Sequence, residues 1–80
     1  MHLEIITPDK KIFEGKVRLI QLPGSKGKFE ILERHAPIIS TLEKGTVKIQ
    51  DVNGKEQFFE VDGGVIENID NKIILLVESV

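Results

Sequence analysis

The sequence predicts an all-β protein, an antiparallel β-sandwich or flattened barrel of about eight to ten short strands. Two observations indicate this class. The apolar stretches are short, rich in Ile and Val, and closed by Gly, Pro or Asn, which is typical of strands. No window has the length, the capping residues and the 3.6-residue period of a helix. With 80 residues, no internal repeat and no linker, residues 1–80 are expected to form a single domain.

The strand segments follow one another with a turn signal after nearly every one. In chain order they are 3–7, 11–14, 17–22, 28–32, 37–42, 46–52, 56–61, 65–69 and 72–78. Gly15 and Gly45 are expected to end strands, and Gly63-Gly64 allows a sharp bend. Asn53-Gly54 is the strongest hairpin signal among the turns. A two-residue turn at this point would mix apolar and polar side chains on one face. We therefore expect a bulge or a longer turn; a one-residue bulge aligns Val47 and Ile49 with Phe59 and Val61.

Several strands hold more apolar residues than one buried face needs. Neighbouring residues of a strand point to opposite faces, yet adjacent apolar pairs recur along the chain. The pairs are Ile5-Ile6, Leu19-Ile20, Ile38-Ile39, Phe58-Phe59 and Val65-Ile66. Barrel ends, loops and twist could cover the second face. The alternative is one or more partner surfaces, including one outer face of the fully apolar segment Ile73–Val77.

Composition argues against several classes of function. The net charge of −2, with no Trp or Tyr and four Phe, offers neither the basic face nor the stacking platforms of a nucleic-acid-binding protein. The absence of Cys excludes disulfides and Cys-based zinc sites. No apolar run approaches the ~18 residues of a membrane helix, and the first residues lack the pattern of a signal peptide. We expect a soluble protein.

No set of residues has a recognisable catalytic or metal-binding pattern. His2, beside an N-terminus expected to be flexible, and His35, in a turn, are far apart in sequence and make a poor metal site. The serines lie in no nucleophile-elbow context. The run Gly24 to Gly27 lacks the spacing of a phosphate-binding loop, so we interpret it as a turn. The sequence therefore predicts no enzyme, no catalytic residue, no cofactor, no metal and no small-molecule substrate.

One alternative function is a free-standing β-rich carrier or binding module. Biotinyl and lipoyl carriers are β-rich domains of similar size, with a modifiable Lys at a hairpin tip. Lys55 follows Asn53-Gly54 but lacks the flanking residues common at such sites. A biotinyl or lipoyl adduct on Lys55 would identify a carrier.

A series of short motifs stands at fixed spacings along nearly the whole chain. They are Leu3 to Asp9, Phe13-x-Gly15, Leu22-Pro23-Gly24-x-x-Gly27, His35-Ala36-Pro37, Leu42-x-x-Gly45-x-Val47-x-Ile49, Gly63-Gly64-Val65-x-Glu67 and Lys72 to Glu78. In this order they resemble the N-terminal β-sandwich domain of the epsilon subunit of F-type ATP synthase. The resemblance implies a non-catalytic central-stalk (rotor) subunit that binds the gamma subunit and the c ring and couples ion-driven rotation to ATP synthesis. It also implies a peripheral location at the cytoplasmic face of the bacterial plasma membrane, or its equivalent in an organelle.

The resemblance places the c-ring contact on Gly27, Lys28, Phe29, Glu30 and Ile31, where the family usually has Gly-Glu-Leu-Gly-Ile. Lys28 stands where an acid is common, and Glu30 stands where a glycine is common. Residues two apart on a strand face the same way. We therefore expect Glu30 to supply the acidic contact with the ring.

The gamma contact implied by the resemblance involves His35, Ser40 and Thr7. Glu33-Arg34 stands where the family often has Pro-Gly, so this turn is expected to differ. Many family members continue into a C-terminal helical hairpin that can inhibit ATP hydrolysis and in some binds ATP. If Val80 is the natural end, neither property is expected of this protein.

Overall fold

The computed structural model describes all of residues 1–80 and contains six strands. They are β1 (His2–Ile6), β2 (Lys11–Gly24), β3 (Gly27–Leu32), β4 (Ile38–Asp51), β5 (Glu56–Ile69) and β6 (Lys72–Val77). The all-β class is confirmed, and the number of strands is lower than predicted. No helix with the length and apolar character needed to cross a membrane is found.

The strand count is lower because three strands are longer than their apolar segments. β2, β4 and β5 have 14 residues each, and each joins two segments that the sequence separates. Gly15, Gly45 and Gly63-Gly64 were expected to end or sharply bend strands. They lie inside these three strands. Strands that continue through a bend can take part in both layers of a sandwich.

The strands close into a ring in the order β1-β6-β5-β4-β2, with β2 pairing back to β1 and β3 added on the outer side of β2. The prediction of a fully antiparallel sheet is wrong for one pair of strands, because β1 and β6 are parallel. The other pairs are antiparallel. A closed ring of five strands cannot alternate direction all the way round. One parallel pair is therefore required by the topology.

The β4–β5 hairpin has the longer turn that the sequence analysis expected. The expected apolar face is confirmed, but the pairing of Val61 and Phe59 with Val47 and Ile49 is wrong: Val47 lies opposite Phe59, Ile49 opposite Gln57 and Val61 opposite Gly45. Asp51 and Lys55 close the hairpin through a hydrogen bond of 2.9 Å from the Asp51 N–H to the Lys55 carbonyl. The loop between them has three residues and ends on Gly54, with a φ of 86°. This is the three-residue hairpin loop in which a left-handed residue adds a bulge.

One hydrophobic core of 15 buried residues fills the space between the strands. Each adjacent apolar pair is divided by the strand, as in Ile38-Ile39, where Ile38 packs against the core and Ile39 is 69% exposed. The N-terminus was expected to be flexible, and the structure corrects this. Met1 is buried, and its amino group donates a 3.1 Å hydrogen bond to the Val17 carbonyl. Backbone pairing of this kind fixes the first residue against β2.

Gly64 is a position where β5 and β6 come too close for a side chain. A Cβ at Gly64 would lie 2.1 Å from the Leu76 carbonyl oxygen, which is part of the backbone and cannot move aside. We predict that Gly64→Ala destabilises the fold by about 3 kcal/mol, at the upper end of the cost of local strain. Urea unfolding measures this. Gly54→Ala is the control, since no atom lies within 4 Å of its Cβ and only the backbone strain at φ 86° remains. Equal losses for the two variants would contradict the prediction.

Candidate functional site

The outer face of β1, β6, β5 and β4 carries a row of four apolar side chains, of which Ile6 is half-buried and the other three are exposed. Leu76 of β6 pairs with Ile6 of β1 on one side and with Val65 of β5 on the other. Ile39 of β4 is diagonal to Val65, because Thr41 is the direct partner of Val65. Cross-strand and diagonal neighbours are close enough for their side chains to interact. We call Ile6, Ile39, Val65 and Leu76 the apolar strip.

The apolar strip is exposed to solvent although its strands are well paired. Leu76 is 50% exposed and Val65 is 40% exposed. A cleft of about 380 Å³ lies over Ile6, Val65 and Leu76 and continues to Thr7, one of the predicted gamma contacts. Thr7 itself is fixed by the β1–β2 turn, where its Oγ1 donates a 3.1 Å hydrogen bond to the Lys10 carbonyl. Of the two outward residues of Ile73–Val77, Leu76 is exposed and Ile74 is half-buried, so the second apolar face is covered only in part.

The predicted ring contact occupies the β2–β3 hairpin and the strand that follows it. Lys28 and Glu30 are exposed on one face of β3, as expected from their spacing. Gln21 on β2 lies opposite Glu30, and its Nε2 donates a 3.3 Å hydrogen bond to the Glu30 carboxylate. Phe29 is half-buried and Ile31 is fully buried. The side chain of Ile31 therefore belongs to the core, where a partner cannot reach it in this conformation.

Ser40, a predicted gamma contact, lies beside the β2–β3 hairpin rather than beside Thr7. It is half-buried, and it lines a polar cleft of about 420 Å³ together with residues 24–29 and Thr41. Ser25 at the hairpin tip reaches Thr41 through a 3.0 Å hydrogen bond between their hydroxyl groups. Since Thr41 is also the cross-strand partner of Val65, the hairpin and the apolar strip adjoin at this contact.

The connection from β3 to β4 holds His35, the third predicted gamma contact. The His35 N–H donates a 3.1 Å hydrogen bond to the Leu32 carbonyl, which closes a turn. Arg34 has a φ of 62° at the third position of this turn, where Gly is favoured. The Arg34 N–H donates a 2.9 Å hydrogen bond to Oδ1 of Asn71. The resemblance indicated a departure at Glu33-Arg34, and the structure places Arg34 in a glycine-like conformation.

His2, Glu4 and Glu14 form a group of possible metal ligands on β1 and β2, with ligand atoms within 4.8 Å of one another. A lysine lies in the same group. The Lys11 ammonium is 2.8 Å from Glu14 and 2.9 Å from Glu4. Its hydrogen bonds to Glu14 and then Glu4 raise the pKa of Lys11 to about 12. Lys11 supplies the cation that these carboxylates face, so the geometry favours an ion-pair network over a metal site.

Comparison with known proteins places this fold and these motifs in one family. A family model described as "ATP synthase, Delta/Epsilon chain, beta-sandwich domain" matches residues 1–80. The chain belongs to this family. An ATP synthase epsilon chain of Campylobacter fetus is 40% identical over 79 residues, which are 99% of this chain and 61% of that protein. One from Chlorobium limicola is also 40% identical, over 98% of this chain and 89% of its own length.

The first of these epsilon chains is longer than the present chain, which spans about three fifths of it. Solved structures show the same fold. A chain of the Euglena gracilis mitochondrial ATP synthase (OSCP/F1/c-ring) superposes with a TM-score of 0.89 at 19% identity, over 94% of this chain and 48% of that one. A chain of the Tetrahymena thermophila mitochondrial ATP synthase central stalk and c ring gives 0.80 at 22%, over 99% of this chain and 63% of that one.

The turn that carries His35 is held by two residues that the sequence analysis did not identify as site residues. Asn68 and Asn71, at the end of β5 and in the β5–β6 turn, both donate side-chain hydrogen bonds to the β3–β4 connection. Asn68 is 1% exposed. A polar residue at an inward position of a strand is the signal that could have identified it. Asn71 could be predicted only as part of the Asp70-Asn71 turn, and nothing in the sequence indicated its contact with the β3–β4 connection.

The carboxylates of Glu33 and Glu14 form ion pairs whose contribution to stability depends on pH. The hydrogen bond from the N-terminal ammonium, followed by one from Asn71, lowers the pKa of Glu33 below its ordinary 4.5. Hydrogen bonds from Lys11 and then His2 lower the pKa of Glu14. A carboxylate with a depressed pKa in the folded state stabilises the fold above its unfolded pKa, and this contribution is lost as pH falls through the folded value.

We predict that the free energy of unfolding falls as pH is lowered from 6 through 4.5 and below. The fall is expected to be smaller in Glu33→Gln and Glu14→Gln, because these variants bind no proton at that position. Urea unfolding at a series of pH values measures the slope. Glu43→Gln, at an exposed residue without an ion-pair partner, is the control. A slope that is the same in all four proteins would contradict the prediction.

Proposed function

We propose that this chain is a non-catalytic central-stalk subunit of an F-type ATP synthase, which binds the gamma subunit and the c ring. The observation that supports it best is the match of residues 1–80 to the epsilon-type β-sandwich, together with an apolar strip left uncovered by the chain itself. In this proposal the subunit touches no substrate. It holds gamma to the ring and so couples ion-driven rotation of the ring to ATP synthesis.

The apolar strip is the surface we assign to the gamma subunit. An exposed row of aliphatic side chains on a well-paired sheet gains free energy when a partner removes it from water. Thr7 lines the cleft over the strip, so this predicted gamma contact borders it. Ser40 directly follows Ile39 on β4, so its side chain points to the opposite face of the strand, in the polar cleft beside the β2–β3 hairpin. His35 lies in the connection that leads into β4.

The outer face of β3 is the surface we assign to the c ring. Glu30 presents a carboxylate there, beside Gln21 and two residues from the Lys28 ammonium. The hairpin tip is attached to Thr41 through Ser25, close to the apolar strip. A load applied by the ring on β3 would therefore reach the gamma-binding face through short, hydrogen-bonded segments.

The location of the subunit follows from its proposed binding to the gamma subunit and the c ring. The subunit would sit at the membrane only through the complex, at the cytoplasmic face of a bacterial plasma membrane or the equivalent face in an organelle. Co-purification from mildly solubilised membranes tests the proposal as a whole. Recovery of gamma and c subunits with the tagged chain is expected, and their absence would count against it.

We predict that Leu76→Glu weakens the association with gamma at least tenfold, because it places a charge in the centre of the apolar strip. Leu76 is half-exposed, so the isolated chain should remain folded. Binding to a gamma-containing core depleted of its own epsilon chain measures the effect. Val52→Glu is the matched control, since Val52 is 58% exposed in the β4–β5 loop and lies outside the strip. If both variants bind gamma like the parent chain, the strip is not the gamma surface.

We predict that Glu30→Lys reduces the recovery of c subunits while gamma is retained, because it reverses the only acidic charge of the 27–31 segment. The exchange is expected to change association by severalfold and to depend on salt, as rim charges do. Glu60→Lys, at an exposed position of β5 outside β3, is the control. Unchanged recovery of c subunits with Glu30→Lys would show that Glu30 does not carry the acidic contact.

A further inference from the structure

Asn68 is the only buried polar residue of the chain, and its side chain is turned toward the β3–β4 connection. Its Nδ2 donates hydrogen bonds of 3.3 Å to two successive backbone carbonyls, those of His35 and Ala36. A side-chain amide that bonds two carbonyls must present its NH2 group to them, so the orientation of the amide is determined. Asn68 thus holds the two peptide groups on either side of Ala36.

The Ala36 carbonyl accepts a second hydrogen bond, from the ring of His35. Nδ1 of His35 lies 2.7 Å from this oxygen. Because a carbonyl oxygen can only accept, Nδ1 must carry the proton. In the neutral ring the other nitrogen, Nε2, is then an acceptor. Nε2 has no hydrogen-bond partner in the chain, and His35 is exposed.

The hydrogen bonds of the Asn68 NH2 group leave the other polar atom of the amide unpaired in the core. Oδ1 of Asn68 is buried and has no hydrogen-bond partner. A buried polar atom without a partner destabilises a fold. A purely structural role would be served better by an aliphatic residue at this inward position between Ile66 and Ile73. The unpaired Oδ1 at this position therefore points to a role of the amide outside the core.

We propose that Asn68 is a positioning residue for partner recognition. By fixing the Ala36 carbonyl it holds His35 as the Nδ1–H tautomer and presents Nε2 to a hydrogen-bond donor on the partner. The expected donor is a side-chain N–H or O–H group or a free backbone N–H. This inference rests on the proposed function, because it takes the gamma subunit as that partner.

Asn68→Leu is the informative variant, because Leu has the same branching as Asn and lacks its polar atoms. Removal of the unpaired Oδ1 should leave the unfolding midpoint unchanged or raise it, since the two released carbonyls lie on exposed residues and can bond water. Nitrogen-15 NMR of the His35 ring should show loss of the pure Nδ1–H tautomer. The Kd for the gamma-containing core should rise about fivefold, as expected for one hydrogen bond that is no longer prearranged. The control is Ile66→Leu, a volume-conserving change at a buried residue of the same strand face. It should alter neither the His35 tautomer nor the Kd.

Three results would overturn the proposal. The first is an Nε2–H tautomer in the parent chain, a measurement that does not depend on any variant being folded. The second is a folded Asn68→Leu variant with the parent tautomer and the parent Kd. The third result distinguishes the role of Asn68 from the assignment of the apolar strip to the gamma subunit. If Asn68→Leu shifts the tautomer while His35→Ala leaves the Kd unchanged, His35 is not a gamma contact and the recognition role of Asn68 fails, although the apolar strip can still bind gamma.

Discussion

The fold depends on three strands that each pass through both halves of the sandwich. β2, β4 and β5 bend instead of ending, so the two layers share continuous backbone and cannot slide apart without breaking strand pairing. Two of the glycines inside these strands lie where a side chain would not fit: a Cβ at Gly45 would be 2.9 Å from Pro23, and one at Gly64 would be 2.1 Å from the Leu76 carbonyl oxygen. Interiors packed in this way have low compressibility and transmit strain. The proposed role, in which the subunit joins the c ring to the gamma subunit, would require this stiffness.

The positions of the candidate surfaces follow from this architecture. A bent strand contributes its outward side chains to two different exterior faces. β4 carries Ile39 on the face of the apolar strip and Lys48 on the opposite layer, where it is the neighbour of Gln21 and so of Glu30. The two assigned partner surfaces are therefore parts of one rigid unit, with the Ser25–Thr41 contact between them.

The turns show how much of the local structure is encoded locally. Asp70 and Asn71 both have positive φ in a two-residue hairpin, which is the conformation that Asn and Asp tolerate best. The Thr7-Pro8-Asp9 turn and the Ser25-Lys26 turn also occur where the sequence indicated them. Arg34 is different. Nothing in its own chemistry favours a φ of 62°, and the hydrogen bond to Asn71, 37 residues away, helps to hold it there.

The sequence alone determined the all-β class, the turns at Pro8-Asp9, Gly24–Gly27 and Asp70-Asn71, the division of apolar pairs between two faces and the longer β4–β5 turn. These properties depend on the two-residue period of strands and on Gly, Pro and Asn, and such information is local. Only the tertiary structure decided that glycines bend strands rather than end them, that β1 and β6 run parallel, that Ile31 is enclosed, and that Asn68 holds the His35 connection. Each of these depends on which distant segments meet. Sequence periodicity specifies the face on which a side chain lies, whereas the identity of the neighbour on that face is set by chain closure.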